Sequence, residues 1–198
     1  GKLVAAARGE VVSITGNVIG SRNKNIVMRY AQRSVTISGN TIYTGVAANI
    51  ELANCGEVAI TGNTIDDSPW EPNAGGVLLE DCQNCAITGN IATGLAYGDD
   101  ARGGAVTLTR CSAVAVSDCQ LLSPAHRGVY LESANLCRIA NNTIINRRPG
   151  LVMKTGVEIS GDSRDNLVQH NQIQAGSAGA VVCEEGQAVV LDNMILAG

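Results

Sequence analysis

The chain has no phenylalanine, one tryptophan and four tyrosines, and aromatic residues make up only 3% of it. A globular core usually draws much of its apolar volume from aromatic rings, so the 45% apolar content must be buried some other way. No apolar run approaches the roughly 18 residues that suggest a membrane-spanning helix, and the opening GKLVAAARGE lacks the apolar stretch of a secretory signal. No segment combines helical periodicity with caps. Basic residues are outnumbered, 14 Lys and Arg against 18 Asp and Glu, and the net charge of −4 argues against nucleic acid as a main partner. What remains is an aliphatic chain with 23 glycines, enough for many turns, and 198 residues, enough for one sizeable core.

The positive signal is a repeat. Val58-Ala59-Ile60-Thr61-Gly62-Asn63-Thr64-Ile65 has counterparts along the whole chain, aligned on Asn17, Asn40, Asn63, Asn90, Cys119, Asn142, Asn171 and Asn193. Each copy follows the last after roughly 22 to 29 residues, the range of solenoid repeats. Three residues before this column stand Ile14, Ile37, Ile60, Ile87, Val116, Ile139, Val168 and Val190. Two after it stand Ile19, Ile42, Ile65, Ala92, Leu121, Ile144, Ile173 and Ile195. Alternation before the Asn predicts a strand with one buried face, and the apolar residue after it predicts a second short strand. The Asn lies where the chain must bend, and Asn tolerates the left-handed conformation of a sharp corner. A further apolar pair precedes each copy: Val4/Ala6, Ile26/Met28, Ile50/Leu52, Val77/Leu79, Val106/Leu108, Val129/Leu131, Val157/Ile159 and Val181/Cys183. Each repeat is thus three short strands and three turns. One such unit cannot bury its own face, but stacked copies can.

This pattern resembles the right-handed parallel β-helix superfamily, the pectate-lyase-like fold, over Leu3 to Ile195. The resemblance implies an all-β solenoid of about eight coils with three short strands each, in which thin aliphatic residues stack like on like. It is similar to the generic β-helix repeats of polysaccharide-active proteins, and implies a secreted, periplasmic or cell-surface location. We expect residues 1–198 to form one β-helix domain. Neither end shows the polar cap that keeps terminal strands from pairing, which predicts a fragment of a longer protein or a chain that covers its ends by association.

Seven cysteines follow the same columns. Cys55, Cys82 and Cys111 stand eight before their column residue, and Cys85 and Cys137 share a position with Val12, Val35, Val58 and Val114. Cys82-Gln-Asn-Cys85 has the spacing of some zinc and redox pairs, yet both members fall in core columns. They are expected as a buried thiol stack.

Surplus residues collect in the turn that leads back to the first strand. These are Asp66–Asn73 with Trp70; Thr93–Arg102 with Tyr97, Asp99, Asp100 and Arg102; His126-Arg127; and Asn146–Lys154 with Arg147 and Arg148. Insertions at one turn of a solenoid gather on one side, often the binding side. Beside this wall lies the outward face of the first strand, where Glu80 and Glu132 share one column and Tyr130 and Glu158 the other.

The resemblance implies a substrate groove there, with aromatics stacking on sugar faces and Arg pairing with uronate carboxylates. Trp70, Tyr97, Asp99, Asp100, Arg102, Arg147, Arg148 and Glu158 are the substrate-binding candidates. A lyase needs a neutraliser for the sugar carboxylate, such as Ca²⁺ held by Glu80, Asp81 and Asp99, and a base from Arg127, His126 or Tyr130. A hydrolase needs two carboxylates, and Glu80 and Glu132, two rungs apart, would stand roughly 9.6 Å apart at the strand spacing, the wide end of the inverting range. Gly98-Asp99-Asp100 resembles the Gly-Asp-Asp of polygalacturonases but falls in a loop, and their Gly-His-Gly and Arg-Ile-Lys are absent, as is the Asp-Pro-His-Asp of alginate epimerases. The expected function is a carbohydrate-active module that binds, or as lyase or hydrolase cleaves, a polysaccharide along the coil 3–7 face. The alternative is a non-catalytic stalk or scaffold segment of a larger secreted, surface or phage-tail protein.

Overall fold

The computed structural model describes residues 3–6, 11–67 and 75–198. Every regular element among them is a strand, and the strands form three parallel sheets of eight. The first sheet stacks Leu3–Ala6, Lys24–Arg29, Ala48–Ala53, Val77–Glu80, Val106–Thr109, Arg127–Glu132, Thr155–Ser160 and Gly179–Val182. The second holds the strands before the Asn column, from Val12–Thr15 to Ala188–Leu191, and the third those after it, from Val18–Gly20 to Met194–Leu196. This is the expected solenoid of eight coils with three strands each.

The period-2 alternation decides which way each strand faces. In the first sheet Ile26, Ile50, Val77, Val106, Val129 and Val157 stack in register, and none is more than 1% exposed. Ile37, Ile60, Ile87, Val116, Ile139 and Val168 do the same for the second sheet, and in the third Ile42, Ile65, Ala92, Leu121, Ile144 and Ile173 stack in register with none more than 3% exposed. Three sheets close on so narrow a space that aliphatic side chains fill it. This accounts for a core without phenylalanine.

Two expectations need correction. The left-handed corner is not the Asn but the residue before it: Gly16, Gly39, Gly62 and Gly89, then Asp118, Asn141, His170 and Asp192, with φ between 49° and 69°. The Asn turns inward instead and builds a ladder. Asn40 donates from its backbone N–H and from Nδ2 to Asn63 Oδ1 at 3.0 and 2.9 Å, and from Nδ2 to the Ile14 carbonyl at 2.8 Å. Asn63 repeats this toward Asn90, Asn142 toward Asn171, and Asn171 toward Asn193. The ladder satisfies polar backbone groups at a corner where no sheet reaches them. Cys119 interrupts it. Its thiol lies 3.8 Å from Asn90 Nδ2, a poor substitute for an amide oxygen. The second correction concerns coil one, where Leu3 and Ala5, not Val4 and Ala6, pair in register with Ile26 and Met28.

All seven cysteines are free, and six are buried. Cys55, Cys82 and Cys111 each point a thiol at a backbone carbonyl, those of Ala53, Glu80 and Leu79, all at 3.3 Å. Burial pushes the Cys119 and Cys137 thiols up from the ordinary value. At the far end, Val190 and Ile195 keep the register of the inward columns but are 42% and 52% exposed.

Candidate functional site

The outward face of the first sheet carries two columns. One runs Val27, Glu51, Leu78, Thr107, Tyr130, Glu158, and the other Arg29, Ala53, Glu80, Thr109, Glu132, Ser160. The return loops fold over the first column, so Thr107, Tyr130 and Glu158 are buried although they point away from the core. The second column stays open: Glu80 is exposed, and Thr109 and Glu132 are half-buried. On its other side the chain turns through a row of left-handed residues, Tyr30, Asn54, Asp81, Arg110, Ser133 and Gly161. The result is a groove of about 560 Å³. Its floor includes Glu80, Thr109 and Glu132, its wall Tyr97 and Arg102, and its ledge Arg110 and Ser133. Tyr130 reaches it from beneath the wall.

The charges in the groove are mostly paired across rungs. Arg110 donates from Nε and Nη2 to the two carboxylate oxygens of Asp81 at 2.8 and 2.9 Å, and Nη2 also reaches Glu80. The Arg110 guanidinium holds the Asp81 carboxyl below its ordinary value. Glu51 takes Arg29 at 2.8 Å and also pairs with Lys24. Among the described residues, Glu132 and Arg102 make no ion pair.

The other candidates are spread around this groove. Arg127 is fully buried, with Nε 2.7 Å from Glu158 Oε2. A guanidinium is always charged, and this one has no path to a substrate proton. The Tyr130 hydroxyl accepts a hydrogen bond from Ser160 Oγ at 2.9 Å. Glu158 binds Arg127 and, at 3.1 Å, Lys154. Burial works to raise the Glu158 carboxyl, and the bonds from Arg127 and Lys154 more than offset it, so the net direction is down.

Asp99 spends its carboxylate on its own loop, accepting from the Ala101 and Arg102 amides at 2.8 and 3.0 Å, which holds it below the ordinary value. His126 lies in a second depression of about 340 Å³ with Asp100 and Lys154. Arg148 pairs with Asp67 in a brace from the coil-six loop back to coil three, and Arg147 is exposed. Trp70 lies outside the described residues.

The structure therefore brings Glu80, Tyr97, Arg102, Tyr130 and Glu132 to one groove and places His126, Arg147 and Arg148 elsewhere. It adds Lys24, Glu51, Thr107, Thr109 and Arg110, which had not been singled out as ligands. The signal for Arg110 was available, because it holds the same place after its strand as Asp81. Among the described residues no three His, Cys, Asp or Glu side chains converge as a metal-binding group.

Residues 2–144 and 104–197 match the family model described as a right handed beta helix region, and the chain belongs to that family. Among solved structures it is similar to the periplasmic alginate epimerase AlgG, with a TM-score of 0.71 at 12% identity, and to a double mutant of that enzyme, with a TM-score of 0.69 at 11% identity. In both cases 93% of this chain is covered, and it spans 44% of the other. At this identity the likeness establishes the fold. No curated protein sequence matches the chain.

Proposed function

We propose that this chain is a carbohydrate-binding β-helix module that takes an extended polysaccharide along the groove between Glu51 and Glu132, in an extracytoplasmic setting. The observation that carries this reading is the groove itself, in which a partly exposed tyrosine stands over a floor of carboxylates and hydroxyls. An aromatic face beside hydrogen-bonding groups suits a sugar ring, which has an apolar face and a polar rim. The structural likeness to an alginate epimerase supports the same ligand class. Arg102, which makes no ion pair among the described residues, suits a uronate carboxylate.

Binding is favoured over cleavage by the accounting of acids and bases. Hydrolysis between two carboxylates needs both available, and Glu80 is engaged by Arg110, which leaves Glu132. Of the candidate bases, Arg127 and His126 lie outside the groove lining, and Tyr130, which reaches it, is buried with its hydroxyl bonded to Ser160 Oγ. Ca²⁺ at Glu80 and Asp81 would have to displace the Arg110 guanidinium.

The test is thermal unfolding with alginate oligosaccharides and with a neutral glucan, each with and without Ca²⁺. Binding to the native state raises the midpoint by mass action. A rise with alginate that Tyr97→Ala and Glu132→Gln each remove supports the reading, and no rise with any saccharide overturns it.

A further inference from the structure

We infer that Arg127 is a positioning residue of the groove: from beneath the wall, its guanidinium grips the backbone of the 97–103 segment and so sets where Tyr97 and Arg102 stand. This rests on the reading of the groove as a saccharide site. The segment is bent at Gly98 and Gly103, at φ 110° and 84°, and a Cβ on Gly98 would strike the Arg102 carbonyl. Asp99 closes the tip, donating its N–H to the Arg102 carbonyl at 2.9 Å and accepting from the Ala101 and Arg102 amides.

This folding turns three carbonyls toward the sheet. Arg127 meets all of them: Nη1 donates to Asp99 O at 2.7 Å and Gly103 O at 3.1 Å, and Nη2 to Asp100 O at 2.7 Å. Nε is left for Glu158 at 2.7 Å. A planar fork of five donors can serve three carbonyls and a carboxylate at once, and a lysine ammonium with three donors on one atom cannot.

The grip is itself anchored. The guanidinium carbon lies 5.2 Å from the centroid of the Tyr130 ring, and Lys154 Nζ ties Asp100 O at 3.0 Å to the Glu158 carboxylate. Tyr130 and Glu158 sit on adjacent strands of the first sheet. The wall is therefore referenced to the first sheet through Arg127, Tyr130 and Glu158. Arg127 touches no ligand and acts only through Tyr97 and Arg102.

The experiment compares wild type with Arg127→Lys, Arg127→Met and Glu158→Gln, with Val129→Ala as a destabilised core control. The first readout needs no ligand: hydrogen exchange at the amides of Asp99, Ala101 and Arg102. Losing the grip should speed that exchange on the order of tenfold or more, in Arg127→Lys and Arg127→Met but not in Val129→Ala. Should Arg127→Met fail to fold, Arg127→Lys and Glu158→Gln carry the comparison.

The second readout is affinity for an alginate oligosaccharide. Arg127→Lys should weaken it on the order of tenfold, and the loss should shrink in an Arg102→Ala background, where part of what Arg127 positions is already gone, because residues acting as one unit are not additive. Unchanged exchange in folded Arg127 variants overturns the inference, as does a loss of affinity that persists in full in that background. Wild type that binds no saccharide overturns the saccharide reading instead, and the exchange data then decide the grip alone.

Discussion

Replacing Cys119 by Asn should stabilise the protein, because it fills the one gap in the ladder of corner asparagines. In the intact rungs each Asn side chain accepts from the N–H and Nδ2 of the Asn one coil earlier, and donates forward to the next Oδ1 and back to a carbonyl. At position 119 the thiol offers contacts of 3.8 Å with Asn90 Nδ2 and 3.5 Å with the Ile87 carbonyl. Asn there would give Asn90 N–H and Nδ2 an oxygen, and would place an amide against Ile87 O and Asn142 Oδ1. Four bonds at a net ~1 kcal/mol each are offset by the existing thiol contacts, by the thiol's apolar burial and by the cost of fixing a longer side chain, together about 2 kcal/mol. The expected gain is about 1–2 kcal/mol. The mirror substitution, Asn63→Cys, strips the same bonds from an intact rung and should cost about 2–4 kcal/mol, since buried groups are left without partners. Urea unfolding measures both, with m-values checked for constancy because long repeat arrays can lose two-state behaviour. A Cys119→Asn midpoint at or below wild type with unchanged m would refute the ladder as the source of corner stability.

Three other outcomes are expected. Glu158 has its carboxyl pKa depressed in the folded state below the ordinary 4.5, so its contribution is full above about that pH and is lost as pH falls through the folded value; the stability gap between wild type and Glu158→Gln should therefore be largest near neutrality and shrink in acid, as urea midpoints across pH will show. A gap that widens in acid would contradict the pairing with Arg127 and Lys154. Of seven cysteines only Cys183 is not buried, so a native thiol titration should label that one promptly and the remaining six only after denaturant is added. Tyr97→Ala should leave the urea midpoint within about 0.5 kcal/mol of wild type while abolishing any saccharide-induced rise in thermal midpoint.

The fold was legible in sequence because a solenoid writes one short rule many times over. Alternation gave the facing of Val77 and Leu79 against Leu78 and Glu80, and the recurrence of the corner gave the stacking. The side-chain position of the corner Asn was not legible, because a left-handed Asn and an inward-turned Asn after a left-handed glycine share one sequence. In the candidate site, Glu80, Tyr97, Tyr130 and Glu132 could be placed together, since the columns and the inserted loops both follow from the repeat. Glu158 could not be distinguished from an open outward residue, nor Arg127 from an exposed turn residue. Alternation says only that Glu158 points away from the core. Whether a loop then covers them depends on how 97–103 folds back, which no local pattern encodes. His126, one residue from Arg127, ends in a different depression for the same reason.

A uniform solenoid offers the same face at every rung, so a site can arise only where that translational symmetry is broken. Here two breaks coincide. The return loops of the middle coils cover one outward column, and the open column changes from Ala53 to Glu80 to Thr109 to Glu132 within four rungs. The ion pairs that shape the groove, Arg29 with Glu51 and Arg110 with Asp81, join residues one rung apart in space and a full coil apart in sequence. Each such pair joins neighbouring coils as well as setting local charge. Glu132 and Arg102, left outside these pairs, are therefore the groove charges whose removal should alter ligand affinity with little effect on the stacking of coils.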